Sequence, residues 1–153
     1  MLLRLPANQT QALRRALLAA GENETGGQLF GEQLAPSDFR ATDVSFQRRR
    51  GSISRFVVDL LQAAGDALGF FNRTGHQYTR FNYIGEWHSH PRFALNPSDV
   101  DLATMRTMVV APGFAGNFAV LLIVKLEGSG LAGRAWVFDP IGSVTNVSLE
   151  MES

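Results

Sequence analysis

His88, His90, Ser98 and Asp101 fall within one short run, His88-Ser89-His90-Pro91-Arg92-Phe93-Ala94-Leu95-Asn96-Pro97-Ser98-Asp99-Val100-Asp101. A zinc ion that activates water takes three nitrogen or carboxylate ligands and keeps one position open. Two histidines and an aspartate supply that set, leaving the fourth corner for water. On a strand alternate side chains share a face, so His88 and His90 can meet one ion. Pro91 and Pro97 bracket a loop that leaves the strand and returns to a helix start, which lets Asp101, eleven residues past His90, close the site. Taken alone, His-x-His is more often an ordinary hydrogen-bonded pair, and Ser98-x-x-Asp101 also fits a helix N-terminal capping box. Found together, they favour a metal centre.

Upstream, Glu24-Thr25-Gly26-Gly27-Gln28-Leu29-Phe30-Gly31 places an acidic residue ahead of a Gly-rich strand entry. This block and the His/His/Ser/Asp set together resemble the JAMM/MPN (JAB) zinc metalloprotease family. Tyr83-Ile84-Gly85-Glu86-Trp87-His88-Ser89-His90-Pro91 looks like a bacterial subgroup encoded beside ubiquitin-like conjugation enzymes, antiphage defence systems included. The resemblance implies zinc held by His88, His90 and Asp101, with Ser98 donating to the substrate carbonyl oxygen as negative charge develops there. It makes Glu24 the residue that takes a proton from water and later hands it to the departing amine. Glu22 and Glu86 are rivals for that role, Glu86 because an ideal strand puts it on the face of the two histidines. No Ser/His/Asp triad is expected, since both histidines are better used on the metal.

With 153 residues the chain fits one domain, residues 1–153, large enough for a sizeable core. Fourteen basic residues balance fourteen acidic ones, so no overall field draws it to nucleic acid or to an anionic membrane. Cysteine is absent, which excludes disulfides and thiolate ligands. The first residues do not read as a signal peptide and no apolar run approaches a membrane span, so a soluble cytoplasmic protein is expected.

Period and punctuation predict the elements that must position these residues. Leu2 to Leu5 reads as a strand, followed by a helix capped by Asn8 or Thr10, with Leu13, Leu17 and Leu18 on one face and a stop at Gly21. Gln28–Leu34 and Ala41–Gln47 read as an antiparallel pair about Pro36-Ser37-Asp38. Arg48-Arg49-Arg50 is a polar break, either a solvated turn or a dock for an acidic partner. A second helix groups Phe56, Val57, Leu60, Leu61, Ala64 and Leu68, with a loop from Asn72 to Arg80 containing an exposed His76. Asn82–Ser89 is the histidine strand, with Trp87 turned into the core, and Ser98–Val110 is a third helix. Phe118–Leu126 and Leu131–Asp139 form a hairpin, and Val144–Met151 adds a last strand. The class is α/β or α+β. The resemblance implies a curved, mixed, mostly antiparallel sheet flanked by helices, the MPN/JAB (cytidine-deaminase-like) architecture.

The leading functional reading is a zinc-dependent isopeptidase or peptidase that cuts after the C-terminus of a ubiquitin-like modifier. Its partners would be that protein or its conjugate and the activating and conjugating enzymes of the same system. An extended modifier tail is expected to add a strand near the site. The alternatives are a catalytically inactive MPN scaffold, a peptidase that processes sulfur-carrier precursors, and a relative of RadC-type proteins.

Overall fold

The computed structural model describes residues 1–47 and 60–152. It holds strands β1 (Leu2–Leu5), β2 (Gly26–Ala35), β3 (Asp38–Val44), β4 (Phe81–Ser89), β5 (Ala119–Glu127), β6 (Gly130–Phe138) and β7 (Val144–Met151), with helices α1 (Ala7–Ala20), α2 (Leu60–Arg73) and α3 (Asp99–Val109). The predicted order of elements is therefore present throughout the described residues. The arginine run and the Phe56-Val57 part of the second helix lie outside them. Among the described residues no helix is long and apolar enough to cross a membrane.

The sheet runs β1-β3-β2-β4-β5-β6-β7 and closes on itself, because β1 pairs in parallel with both β3 and β7. Four of its pairings are antiparallel and β4–β5 is parallel. The expected curved, mostly antiparallel sheet is closed into a barrel, which, among the described residues, removes any full-length edge for an incoming strand. One short length remains uncovered: β4 pairs with β5 only as far as Val124, so Lys125 to Glu127 are paired with β6 alone.

β5 is buried on both faces, as its unbroken apolar run requires. Val120, Leu122 and Val124 join Leu3, Leu5, Leu29, Trp87 and the α1 residues Leu13 and Leu17 in one core. The alternate residues Ala119, Leu121 and Ile123 pack with Met105 and Val109 of α3 in a second. The two cores thus lie on opposite faces of β5.

Several local expectations change. Pro6, with no side-chain cap bond, precedes α1 in place of Asn8 or Thr10, and Leu18 is exposed while Leu13 and Leu17 are buried. Proline serves there because its fixed φ suits a helix entry. In α2 the predicted Ala64 and Leu68 face solvent, and Phe70 is the buried anchor, stacked on Phe30 at 4.8 Å between ring centroids. The helix also runs on to Arg73, past the predicted start of the loop. His76 is exposed as expected.

β4 carries a bulge that decides the chemistry. Leu29 pairs with Gly85 and Phe30 with Tyr83, leaving Ile84 as one extra residue. Side-chain alternation shifts there, so Ile84 and Trp87 both enter the core while Tyr83 and Glu86 lie together on the other face, within 2.7 Å. Glycine is required at the bulge because a Cβ on Gly85 would lie 1.9 Å from the Val120 carbonyl oxygen. Trp87, fully buried, donates its indole N–H to the Ser45 carbonyl at 2.9 Å.

Candidate metal centre

The histidines leave β4 on the face opposite Trp87, and both are 6% exposed. Their Nε2 atoms lie 2.9 Å apart. Asp101 reaches them from the first turn of α3, with Oδ1 3.5 Å from His88 Nε2 and Oδ2 3.6 Å from His90 Nε2. Atoms bound at 2.0–2.1 Å around a tetrahedral ion stand roughly 3.3 Å from one another. The three side chains fit that requirement, and among the described residues they are the group of this kind that converges.

His90 Nδ1 lies 2.9 Å from the Ala94 carbonyl oxygen, which can only accept. Nδ1 is therefore the protonated nitrogen of the neutral ring, and Nε2 turns its lone pair to the cluster. The same bond folds the 91–98 loop back on the strand. Arg134, from β6, holds Asn96 Oδ1 at 2.7 Å and steadies the far side of that loop.

Ser98 and Asp101 form a complete capping box. Asp101 N donates to Ser98 Oγ at 3.1 Å, while Asp101 Oδ2 accepts from the Ser98 backbone N–H at 2.7 Å and from its hydroxyl at 2.8 Å. Capping and clustering are one arrangement, because the bonds that start the helix also aim the carboxylate. The Ser98 hydroxyl donates to Asp101 in this state.

Glu24 arrives by strand register. Gly26 pairs with His88, and Ser89 then holds both backbone groups of Thr25, its N–H donating to Thr25 O at 2.8 Å and its hydroxyl accepting from Thr25 N at 3.0 Å. The next position in that register sets Glu24 beside His90, where it is buried. Burial raises its carboxyl, an effect opposed by His88 and His90 and reinforced by Asp101. Burial also works to raise Asp101, yet the adjacent His88 and His90 prevail and hold it well below the usual carboxylate range. Burial pulls His90 down, but Asp101, the Ala94 carbonyl and Glu24 leave it raised. Two carboxylates in one site are thereby pushed in opposite directions.

The rivals of Glu24 are placed elsewhere. Glu22 is exposed and forms an ion pair with Arg92. Glu86 shares the histidine face but accepts a hydrogen bond from Tyr83 Oη at 2.7 Å.

The family model for prokaryotic homologs of the JAB domain matches residues 6–139. The chain belongs to that family. Its fold is shared by the solution structure of a Desulfitobacterium hafniense protein, with a TM-score of 0.71, 18% identity, and coverage of 99% of this chain and 94% of that one. A JAB1/MPN domain protein from Archaeoglobus fulgidus matches with a TM-score of 0.50 and 14% identity over 97% of both chains. No curated protein matches the sequence.

Two features of this JAB domain escape sequence reasoning. Ser89 looks like a spacer between ligands, yet it is 1% exposed and ties the Glu24 segment to the histidine strand. Ser89→Ala is expected to cost about 1–2 kcal/mol in urea unfolding for the orphaned Thr25 N–H. The second feature is a buried polar pair. Gln28 and Glu86 stand directly opposite each other on β2 and β4, and Gln28 Oε1 and Glu86 Oε2 are both buried without a hydrogen-bond partner among the described residues.

Burial pushes the Glu86 carboxyl up to about 7, against the pull of the Tyr83 hydroxyl. A carboxyl raised on folding contributes stability below its unfolded value, near 4.3, and loses it as pH rises through the folded value. Stability should therefore fall between about pH 4.5 and 7.5 for this group. Glu86→Gln is expected to remove that slope and to be the more stable protein at pH 8, by on the order of 2–3 kcal/mol. Denaturant midpoints of both proteins at pH 5 and pH 8 measure this; parallel midpoints would refute it.

Proposed function

We propose that this JAB domain is a zinc-dependent peptidase or isopeptidase that cuts after the C-terminal glycine of a ubiquitin-like protein. The reading rests on one juxtaposition: a converging His88, His90 and Asp101 set with a second, buried carboxylate, Glu24, beside it and outside it. A divalent ion held by the three side chains supplies Lewis acidity, lowering the pKa of water and polarising a carbonyl. His, His and carboxylate ligation suits zinc, and the absence of cysteine leaves no softer donor set.

The chain's own groups supply the rest. Glu24 takes the proton of the attacking water and returns it to the departing amine, work for which a raised carboxyl pKa is suited. The Ser98 hydroxyl turns from Asp101 toward the substrate oxygen and donates to it as charge builds. Asp101 keeps its anchor through the Ser98 backbone N–H meanwhile. His90 is held in one tautomer by Ala94 and does not move protons.

Linear fusions carrying bacterial ubiquitin-like tails test this, with zinc-loaded and chelator-treated protein compared by gel. Cleavage after the terminal glycine, lost with the chelator and with the last glycines deleted, is the expected result. Stoichiometric zinc without cleavage of any tail would point to another substrate or a missing partner subunit, and a protein that neither cleaves nor holds zinc would favour the inactive scaffold. Partners from the same conjugation or defence system, and sulfur-carrier precursors, are the natural substrates to try next.

A further inference from the structure

Among the described residues one phenylalanine, Phe93, is exposed, at 53%, while the others are buried or half-buried. It belongs to neither core, and its ring stands against that of His90, with 6.2 Å between centroids and 81° between planes. Single apolar residues on a surface need no explanation. This one touches a member of the converging His88, His90 and Asp101 set and is held there.

The chain is anchored on both sides of Phe93. Pro91 restricts the backbone as it leaves β4. The Ala94 carbonyl accepts from His90 Nδ1 at 2.9 Å, Leu95 packs against the core beneath α3, and Arg134 holds Asn96. Turning the ring inward would break the bond that sets the His90 tautomer. A side chain already fixed by its surroundings loses little freedom when a ligand covers it, and an aromatic ring offers a large contact area from two torsions.

A tail that ends in glycine carries no side chain at the bond to be cut, so the first group a protein can grip lies farther back. In an extended chain, at about 3.4 Å per residue, the side chain two residues before the scissile carbonyl stands about 7 Å from it. Phe93, one ring away from the cluster, is within that reach. A cationic side chain would also be drawn to an aromatic face, but the positive charge of a bound dication opposes it there.

From these placements we infer that Phe93 is a specificity-determining residue: its exposed ring receives an aliphatic side chain carried two residues before the glycine at which the tail is cut. The inference rests on the peptidase reading and deepens it, since the preferred tail then has the form aliphatic-Gly-Gly.

Titration of acetyl-Leu-Gly-Gly, acetyl-Ser-Gly-Gly and acetyl-Arg-Gly-Gly into the zinc-loaded ¹⁵N-labelled protein tests it without turnover. The leucine peptide should shift the amides of Phe93 and Ala94 and bind about tenfold more tightly than the other two, the effect of covering one aliphatic side chain. Phe93→Ser should abolish that preference with zinc content unchanged, and Phe93→Leu should retain most of it. Ile141→Ser, at an exposed apolar residue on the turn between β6 and β7, should leave it intact. Binding without preference, tightest binding of the arginine peptide, no binding of any peptide, or a leucine preference that survives Phe93→Ser overturns the inference. If fusions are cut alongside any of those results, the peptidase reading stands without this contact. A preference that depends on Phe93 in a protein that cuts no fusion supports the contact and counts against the peptidase reading.

Discussion

Glu24→Gln will lower kcat on a cleavable fusion by about a thousandfold, within the range general acid–base catalysis contributes, while zinc content stays at one per chain. The neutral amide keeps the shape of the side chain and removes its proton chemistry. Glu24 is not part of the converging ligand set, so metal affinity should be unmoved. Its burial and the electrostatic influence of His88, His90 and Asp101 make the pH profile the sharper observable. A base whose pKa is raised by burial sets an acidic limb at higher pH than a free glutamate would, and the residual activity of the variant should lack that limb. Retention of more than a tenth of wild-type kcat would pass the role to another group.

Asp101→Asn will cost the protein its metal, with affinity falling by more than the 10- to 100-fold typical of groups that only orient a ligand. The helix cap should survive, because the Asn side-chain oxygen can still accept from the Ser98 backbone N–H as Asp101 Oδ2 does. Asparagine supplies no negative charge, however, and leaves two neutral imidazoles to hold a dication. Metal analysis after dialysis, set against thermal unfolding of the metal-free forms, separates the outcomes. Lost metal with an unchanged metal-free Tm assigns Asp101 as a ligand. Unchanged metal content would reduce it to a cap.

The His88, His90 and Asp101 cluster is legible in the sequence because its residues are close in the chain and their convergence follows from local geometry. His88 and His90 share a face on any strand, and Ser98 with Asp101 starts a helix by a bond pattern three residues long. Glu24 was legible through the glycines after it, and the structure explains one of them: a Cβ on Gly27 would lie 2.1 Å from the Ser45 carbonyl oxygen. Less accessible were facts that depend on what lies opposite. Ser89 reveals itself only once β2 is in register, and the Gln28–Glu86 juxtaposition is a cross-strand relation. Leu18, Ala64 and Leu68 are exposed although they share a stripe with apolar neighbours, because periodicity fixes which residues share a stripe and says nothing of how wide the covering sheet is. Closure of the sheet depends on β1 meeting β7, strands almost the whole chain apart.

The single surplus residue in β4 has an implication for how such domains lose activity. Removing Ile84 would restore simple alternation to the strand, and the segment beyond would have to choose which half keeps its facing. If Tyr83 and its predecessors stayed put, Trp87 would swing to the face now held by the histidines, and both imidazoles would point into the core around Leu29 and Leu122. All the metal ligands would still be spelled out in the gene. A one-codon deletion upstream would thus dismantle the His88, His90 and Asp101 cluster while a motif search continued to score it as intact.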